Sequence, residues 1–203
     1  MLDVLENAAL IKLHDQALKS WYADPPNMLD TGSSLKSLIL AQHFCNYNLW
    51  NLEDQARLRK VSDSRIAEVK RSIDTWNQRR NDLIEQIDQF LLEMFSSVDI
   101  SEAEQHSETA GMMIDRISIL ALKIRNMTLI SEDRLDAVIA AEGSKKLEIL
   151  KTQRQDLMIC LQKLINDFQS GRRYFKSYRQ FKTYNDPRLN PLLRVEEPVH
   201  TSN

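Results

Sequence analysis

A chain of 203 residues is long enough for one domain with a substantial core, or at most two small ones. Charged residues make up 28% of it but nearly cancel, leaving a net charge of −2. That balance excludes a generic nucleic-acid binder while leaving room for a local basic patch. Four Gly and five Pro are few, no proline falls between Pro26 and Pro187, and Gly32, Gly111, Gly143 and Gly171 stand where helical patterns start or stop. The fold class is therefore all-α.

In chain order, a first helix is predicted over about 3–22, stopped by Asp24-Pro25-Pro26. A second begins after Gly32, capped by Ser33 or Ser34, and runs to about Lys60. Ser62 or Asp63 caps a third, carried to about Phe95 by Ile66, Val69, Ile73, Trp76, Leu83, Ile87, Phe90 and Met94. Ser96 to Glu108 is a long polar break, and a fourth helix covers about 109–129. A small turn or helix follows Ser131, and a fifth helix starts after Gly143-Ser144 and ends near Ser170. A last amphipathic helix is predicted over 172–184. The expected architecture is an antiparallel helical bundle built from two long helical hairpins plus N- and C-terminal helices. Residues 1–186 form its single domain, and 187–203 an extended or disordered tail. A faint repeat lays Arg80–Leu91 over Arg154–Ile165, which a duplicated hairpin would explain, although amphipathic helices also align by chance.

Polar residues occupy positions where a bundle normally puts its core. His43, Asn46, Trp50, Glu53/Asp54 and Arg57 recur at helical spacing, and Asp74, Asn77, Arg80 and Asn81 lie in or beside the apolar row Ile73, Ile84, Ile87, Leu91. Burying such groups costs several kcal/mol each, roughly, unless they are paired. A tight reversal near residues 61–62 makes facing residues sum to about 123, on the helical-hairpin geometry of short connections. His43 then meets Arg80, Asn46 meets Asn77, and Trp50 meets Ile73 and Asp74. Two uses fit this arrangement. One is a structural network fixing helix register. The other is a ligand cleft with Trp50 as its apolar wall, Arg57 and Arg80 as anion contacts and His43 as an acid/base.

Glu53-Asp54 and Glu85-x-x-Asp88 are similar to the acidic pairs of all-α nucleotide pyrophosphohydrolases, which bind Mg²⁺. The hairpin puts Glu85 opposite Leu38, on the order of 22 Å from Glu53 at 1.5 Å per residue. A two-metal site needs ions about 4 Å apart, so no metal site is assigned. Ser107 or Thr109 reads first as an N-cap, and second as part of an anion site with Arg116. Asp115 and Arg116, flanked by Ile114 and Ile117, join the candidate site. In 172–184, Tyr174, Tyr178, Phe181 and Tyr184 share one helical face, and Arg172, Lys176, Arg179 and Lys182 the other. Such a helix packs its rings on the bundle or docks an anionic partner.

Asn48–Arg57, Ile73–Asp88, Ser107–Ile124 and Tyr178–Pro187 together resemble the bacterial domain-of-unknown-function family numbered four-two-five-four. Asn51 stands where that family commonly has a His after the Trp, and Ala110 where it often has Pro. The resemblance implies a small helical bacterial protein encoded near envelope-polysaccharide or glycosyltransferase genes. It carries no reaction and no catalytic residue.

The N-terminus lacks the basic start and apolar stretch of a signal peptide, no apolar run reaches the ~20 residues of a membrane span, and Cys45 and Cys160 sit on apolar helical rows. The expected setting is cytoplasmic, with membrane contact peripheral at most. No glycine-rich phosphate loop or zinc spacing is present, so no cofactor is assigned. The expected activity is binding of an anionic small molecule, a nucleotide-sugar or phosphosugar, in surface-polysaccharide synthesis. The site would be drawn from His43, Asn46, Trp50, Glu53, Asp54, Arg57, Asp74, Asn77, Arg80, Asn81, Asp115 and Arg116. The first alternative is a non-enzymatic scaffold or regulator docking a glycosyltransferase-type protein or the inner-membrane surface; the second is a Mg²⁺ phosphohydrolase. No specific nucleic-acid partner is expected, and a homo-oligomer is compatible with the sequence.

Overall fold

The structure is a computed structural model that describes residues 2–27, 29, 32–179, 188–192 and 194. Five α-helices carry the fold: α1 Asn7–Ala23, α2 Leu35–Ala56, α3 Asp63–Met94, α4 Ala110–Ser131 and α5 Ala137–Gln169. A single 3-10 turn, Asp3–Leu5, precedes α1. α2 and α3 form one antiparallel hairpin, α4 and α5 a second, and α1 packs across both.

Side-chain chemistry sets the helix starts. Ser34 accepts from the Ser37 backbone N–H while the Ser37 hydroxyl accepts from Ser34 N, a reciprocal capping box. Ser62 and Thr109 cap α3 and α4 by accepting from Arg65 N and Met112 N. The core follows the predicted apolar rows: Ile39, Leu83, Ile87, Leu91, Ile114, Ile117, Met158 and Leu161 are all buried in one cluster shared by α2–α5. Cys45 belongs to that cluster, and burial pushes its thiol up to about 12, as expected of a small core residue rather than a nucleophile.

Three expectations change. α2 stops at Ala56 rather than Lys60, leaving residues 57–62 as the hairpin connection. α5 starts at Ala137, capped by Asp136, so Gly143 lies inside the helix rather than before it. Its role is contact: a Cβ there would stand 2.8 Å from Ile130 Cγ2 and 3.0 Å from Ser131 N. Gly143 is therefore where α5 leans against the end of α4.

The third change concerns 172–184. Residues 172–179 are not helical: Arg173–Phe175 form β2, paired in parallel with β1, Glu104–His106, inside the stretch read as a polar break. Gly171 ends α5 at φ +67°, a conformation open to glycine, and a Cβ there would collide with the Asp99 carbonyl at 2.5 Å. With the chain turned, Asp167 accepts from the Arg172 guanidinium at 2.7 and 2.9 Å, and Phe175 packs on Phe168 in the core. Phe181, Lys182 and Tyr184 lie outside the described residues, as do Pro187 and most of the tail; Arg194 N donates to Asn190 O in the part that is described.

Gly143→Ala is expected to destabilise the protein by about 1–3 kcal/mol, although Ala is favoured over Gly in an open helix by about 1 kcal/mol. Denaturant unfolding of the variant measures the balance, and a stabilised variant would show that the α4–α5 contact is looser than the geometry indicates.

Candidate functional site

Of the predicted polar residues, His43, Asn46, Arg80 and Asp115 come together, and they do so on α4 rather than across the α2–α3 hairpin. Asp115 accepts from Asn46 Nδ2 at 2.9 Å and from Gln42 Nε2, with Arg80 Nε 3.9 Å away. Asn46 Nδ2 also reaches Ser118 Oγ at 2.9 Å, and Ser118 Oγ lies 2.6 Å from His43 Nδ1. His43 Nε2 lies 3.2 Å from the His14 carbonyl oxygen. A carbonyl can only accept, so Nε2 carries the proton, Nδ1 is the acceptor, and the Ser118 hydroxyl donates to it. The tautomer of His43 is thereby fixed by its two neighbours.

The electrostatics are those of an interior. Burial pushes the Asp115 carboxyl up, against the pull of Arg80, Asn46 and Gln42. Burial likewise takes His43 down to about 3 and His14 well below its ordinary value. Both imidazoles are fully buried, with ring centroids 4.3 Å apart. His14 Nδ1 and Nε2 have no hydrogen-bond partner, and neither do Gln42 Oε1 and Arg80 Nε. His43 is therefore a neutral register element and not a proton carrier facing substrate.

The remaining predicted residues lie elsewhere. Glu53, Asp54 and Arg57 form ion pairs with one another at the exposed end of α2. Asp74 is taken by Lys70 on the surface of α3, Asn77 is half-buried, and Asn81 is buried on α3. Arg116 pairs with Glu108 at 2.6 Å on the outside of α4. The anion reading of the α4 N-terminus is replaced by an internal carboxylate. Asp88, the second member of the Glu85-x-x-Asp88 pair, is buried and accepts from Gly111 N at 2.7 Å, with burial pushing it up to about 6. Gly111 permits this approach, because a Cβ would stand 2.8 Å from Asp88 Oδ1. Among the described residues, no group of three or more His, Cys, Asp or Glu is placed to hold a metal ion.

Trp50 opens a different site. It lines a cleft of about 260 Å³ between α2, α4 and α5, together with Lys123, Asn126, Met127, Lys146, Ile149, Leu150 and Gln153. The lining is almost wholly apolar, from the indole and the aliphatic parts of these side chains. Lys123 is exposed, and Lys146 shares its charge with Glu142 across one helical turn. Trp50 follows Asn46 by one turn, about 6 Å along α2, so the buried network sets how far α4 stands from the indole. Sequence reasoning found Trp50 but missed the α4 and α5 walls, whose spacing depends on which helices become neighbours.

Residues 36–177, which carry the network, the cleft and both strands, match the family model described as a protein of unknown function (DUF4254). The chain belongs to the DUF4254 family. No curated protein and no solved structure matches it. No helix among the described residues of this DUF4254 member is long and apolar enough to cross a membrane.

Asp115→Ala should cost about 3–5 kcal/mol in unfolding free energy, since it strands Arg80 and two buried amides at once. A second expectation follows from the paired imidazoles. The native state refuses protons that the unfolded chain accepts below about pH 6.5, so stability is complete above that value and falls on acidification towards pH 3. Asp88 acts in the opposite sense between its ordinary value of 3.8 and about 6, where the native state holds the extra proton. His14→Leu should thus reduce the loss of stability between pH 6.5 and 5 by up to about 1.4 kcal/mol per pH unit. Denaturant unfolding at several pH values tests this, and an unchanged slope would mean that His14 is solvated.

Proposed function

We propose that this protein binds a small anionic molecule with a flat or apolar part in the Trp50 cleft. The reading rests on one juxtaposition: an accessible indole beside aliphatic side chains, with Lys123 and Lys146 among the residues that line the cleft. An indole face takes a nucleobase or the apolar face of a sugar ring, and the ammonium groups take phosphate. A volume of about 260 Å³ suits a monosaccharide or a base, with the phosphates of a nucleotide-sugar extending through the open side. Nucleotide-sugars and phosphosugars are therefore the ligand classes proposed. The family resemblance adds a bacterial origin and a place in surface-polysaccharide synthesis, and the sequence features described above add a cytoplasmic setting. Binding rather than catalysis is favoured, because His43 is fully buried and takes no part in the lining of the cleft.

A scaffold reading is favoured by a separate observation. The His43–Ser118–Asn46–Asp115 network is interior and largely satisfied, which suits a part that fixes helix register for a docked glycosyltransferase-type protein. The two readings differ in whether the Trp50 cleft has an occupant.

Thermal unfolding with a panel of nucleoside-diphosphate sugars and sugar phosphates tests this. A true ligand at a hundredfold excess over its Kd stabilises by about 2.7 kcal/mol, or roughly 5–10 °C for a chain of this length. Lys123→Glu, at an exposed position, should abolish that shift without lowering the Tm of the free protein. Equal shifts in the wild type and the variant, or none across the panel, would leave the scaffold reading.

A further inference from the structure

α2 and α4 run side by side in the same direction. Gln42 and Asn46 meet Asp115, His43 meets Ser118, and Trp50 shares its cleft with Lys123, Asn126 and Met127. Both helices therefore finish at one end of the bundle. α2 ends six residues beyond Trp50, about 9 Å, and α4 ends four beyond Met127, about 6 Å. The turn after α2, residues 57–62, and the turn after α4, residues 132–136, consequently form a common end face.

That end face has two halves of opposite character. The 57–62 turn carries Arg57, which Glu53 and Asp54 neutralise, and Arg59 and Lys60, which have no ion-pair partner among the described residues. The 132–136 turn carries Glu132, Asp133 and Asp136 against a single base, Arg134. Both halves also leave apolar side chains in solvent. Leu58 is 56% exposed on the first, and on the second Leu135 is 98% and Val138 78% exposed. Leu135 has no intramolecular packing to account for it, and a large apolar side chain beside unpaired charges is the composition of an association surface.

We infer that a second copy of this chain covers this end, in a two-fold end-to-end dimer. A two-fold axis lying in the end face, along the boundary between its two halves, brings the basic 57–62 turn of each copy onto the acidic 132–136 turn of its partner. Leu58 and Val61 then pack against Leu135 and Val138 at both contacts. Like charges never face each other in this arrangement, which is the complementarity that selects a second copy over an anionic lipid surface: the acidic half would be repelled by lipid. Four helices spaced about 10 Å apart present an end face on the order of 500 Å² per copy, near the lower limit for a specific interface. The dimer is consequently weak and salt-sensitive, with a dissociation constant on the order of 10–100 µM at low ionic strength.

Sedimentation velocity across a concentration series of the full chain, at low and at high salt, is the test. A monomer–dimer equilibrium weakened by salt is expected, and Leu135→Ser should weaken it at least about tenfold. Because Leu135 is almost wholly exposed, this substitution leaves folding intact, which the Tm verifies. Two charge variants make the test specific to the pairing. Arg59→Glu with Lys60→Glu makes both turns acidic, and Glu132→Lys with Asp133→Asn makes both basic while keeping the turn-forming oxygen at 133. Each variant alone should be monomeric, and an equimolar mixture should form a 1:1 heterodimer. A wild type that stays monomeric at every concentration overturns the proposal, and so does a dimer that Leu135→Ser leaves intact or a mixture that fails to associate. Binding of the monomer to anionic vesicles through Leu135 would also overturn it, in favour of a lipid surface.

Discussion

Asp115 is the point on which the arrangement of the helices depends. One carboxylate on α4 receives amide hydrogens from two residues of α2 and lies beside the guanidinium of Arg80 from α3. Apolar packing alone would let α4 slide by a turn along the α2–α3 hairpin at small cost, since Leu, Ile and Met rows interdigitate in more than one register. Directional bonds to a buried anion do not allow such a slide, because each displaced partner is left desolvated and unpaired. The same bonds place Ser118 against His43 and bring the Trp50 indole to the α4–α5 groove. Register is settled in the interior, and the accessible cleft inherits its shape.

A charge held in this way has electrostatic consequences nearby. The chain buries Asp88, His14 and His43 as well, and each departs from its ordinary titration for the same reason, removal from water. Asp88 is compensated by the α4 N-terminus, and His43 by a hydroxyl and a carbonyl. The His14 ring has no such compensation. An imidazole kept where a leucine would pack more simply marks a position under a constraint other than stability.

The fold was legible in the sequence wherever local chemistry decided the outcome. Ser34, Ser62 and Thr109 cap the helices they were expected to cap, and the apolar rows of α3 and α4 became the core. The misreadings share one cause, which is dependence on distant parts of the chain. Gly143 looks like a helix start because its use, contact with Ile130, is visible only once α5 lies on α4. Residues 172–175 have a helical distribution of bases and rings, yet Gly171 turns them onto a strand 69 positions earlier. In the candidate site, the clustering of polar groups on α2 and α3 was legible, but the third element that receives them was not. Asp115 and Arg116 were both singled out between flanking isoleucines, and only the packing shows that one faces inward and the other outward.

The pairing of Glu104–His106 with Arg173–Phe175 has a consequence for the chain's topology. Adjacent strands lie about 4.8 Å apart, so the segment running from β1 to β2 leaves and returns to nearly the same spot. The α4–α5 hairpin thus begins and ends beside one fixed point, while its length lies against α2 and α3 in the shared core.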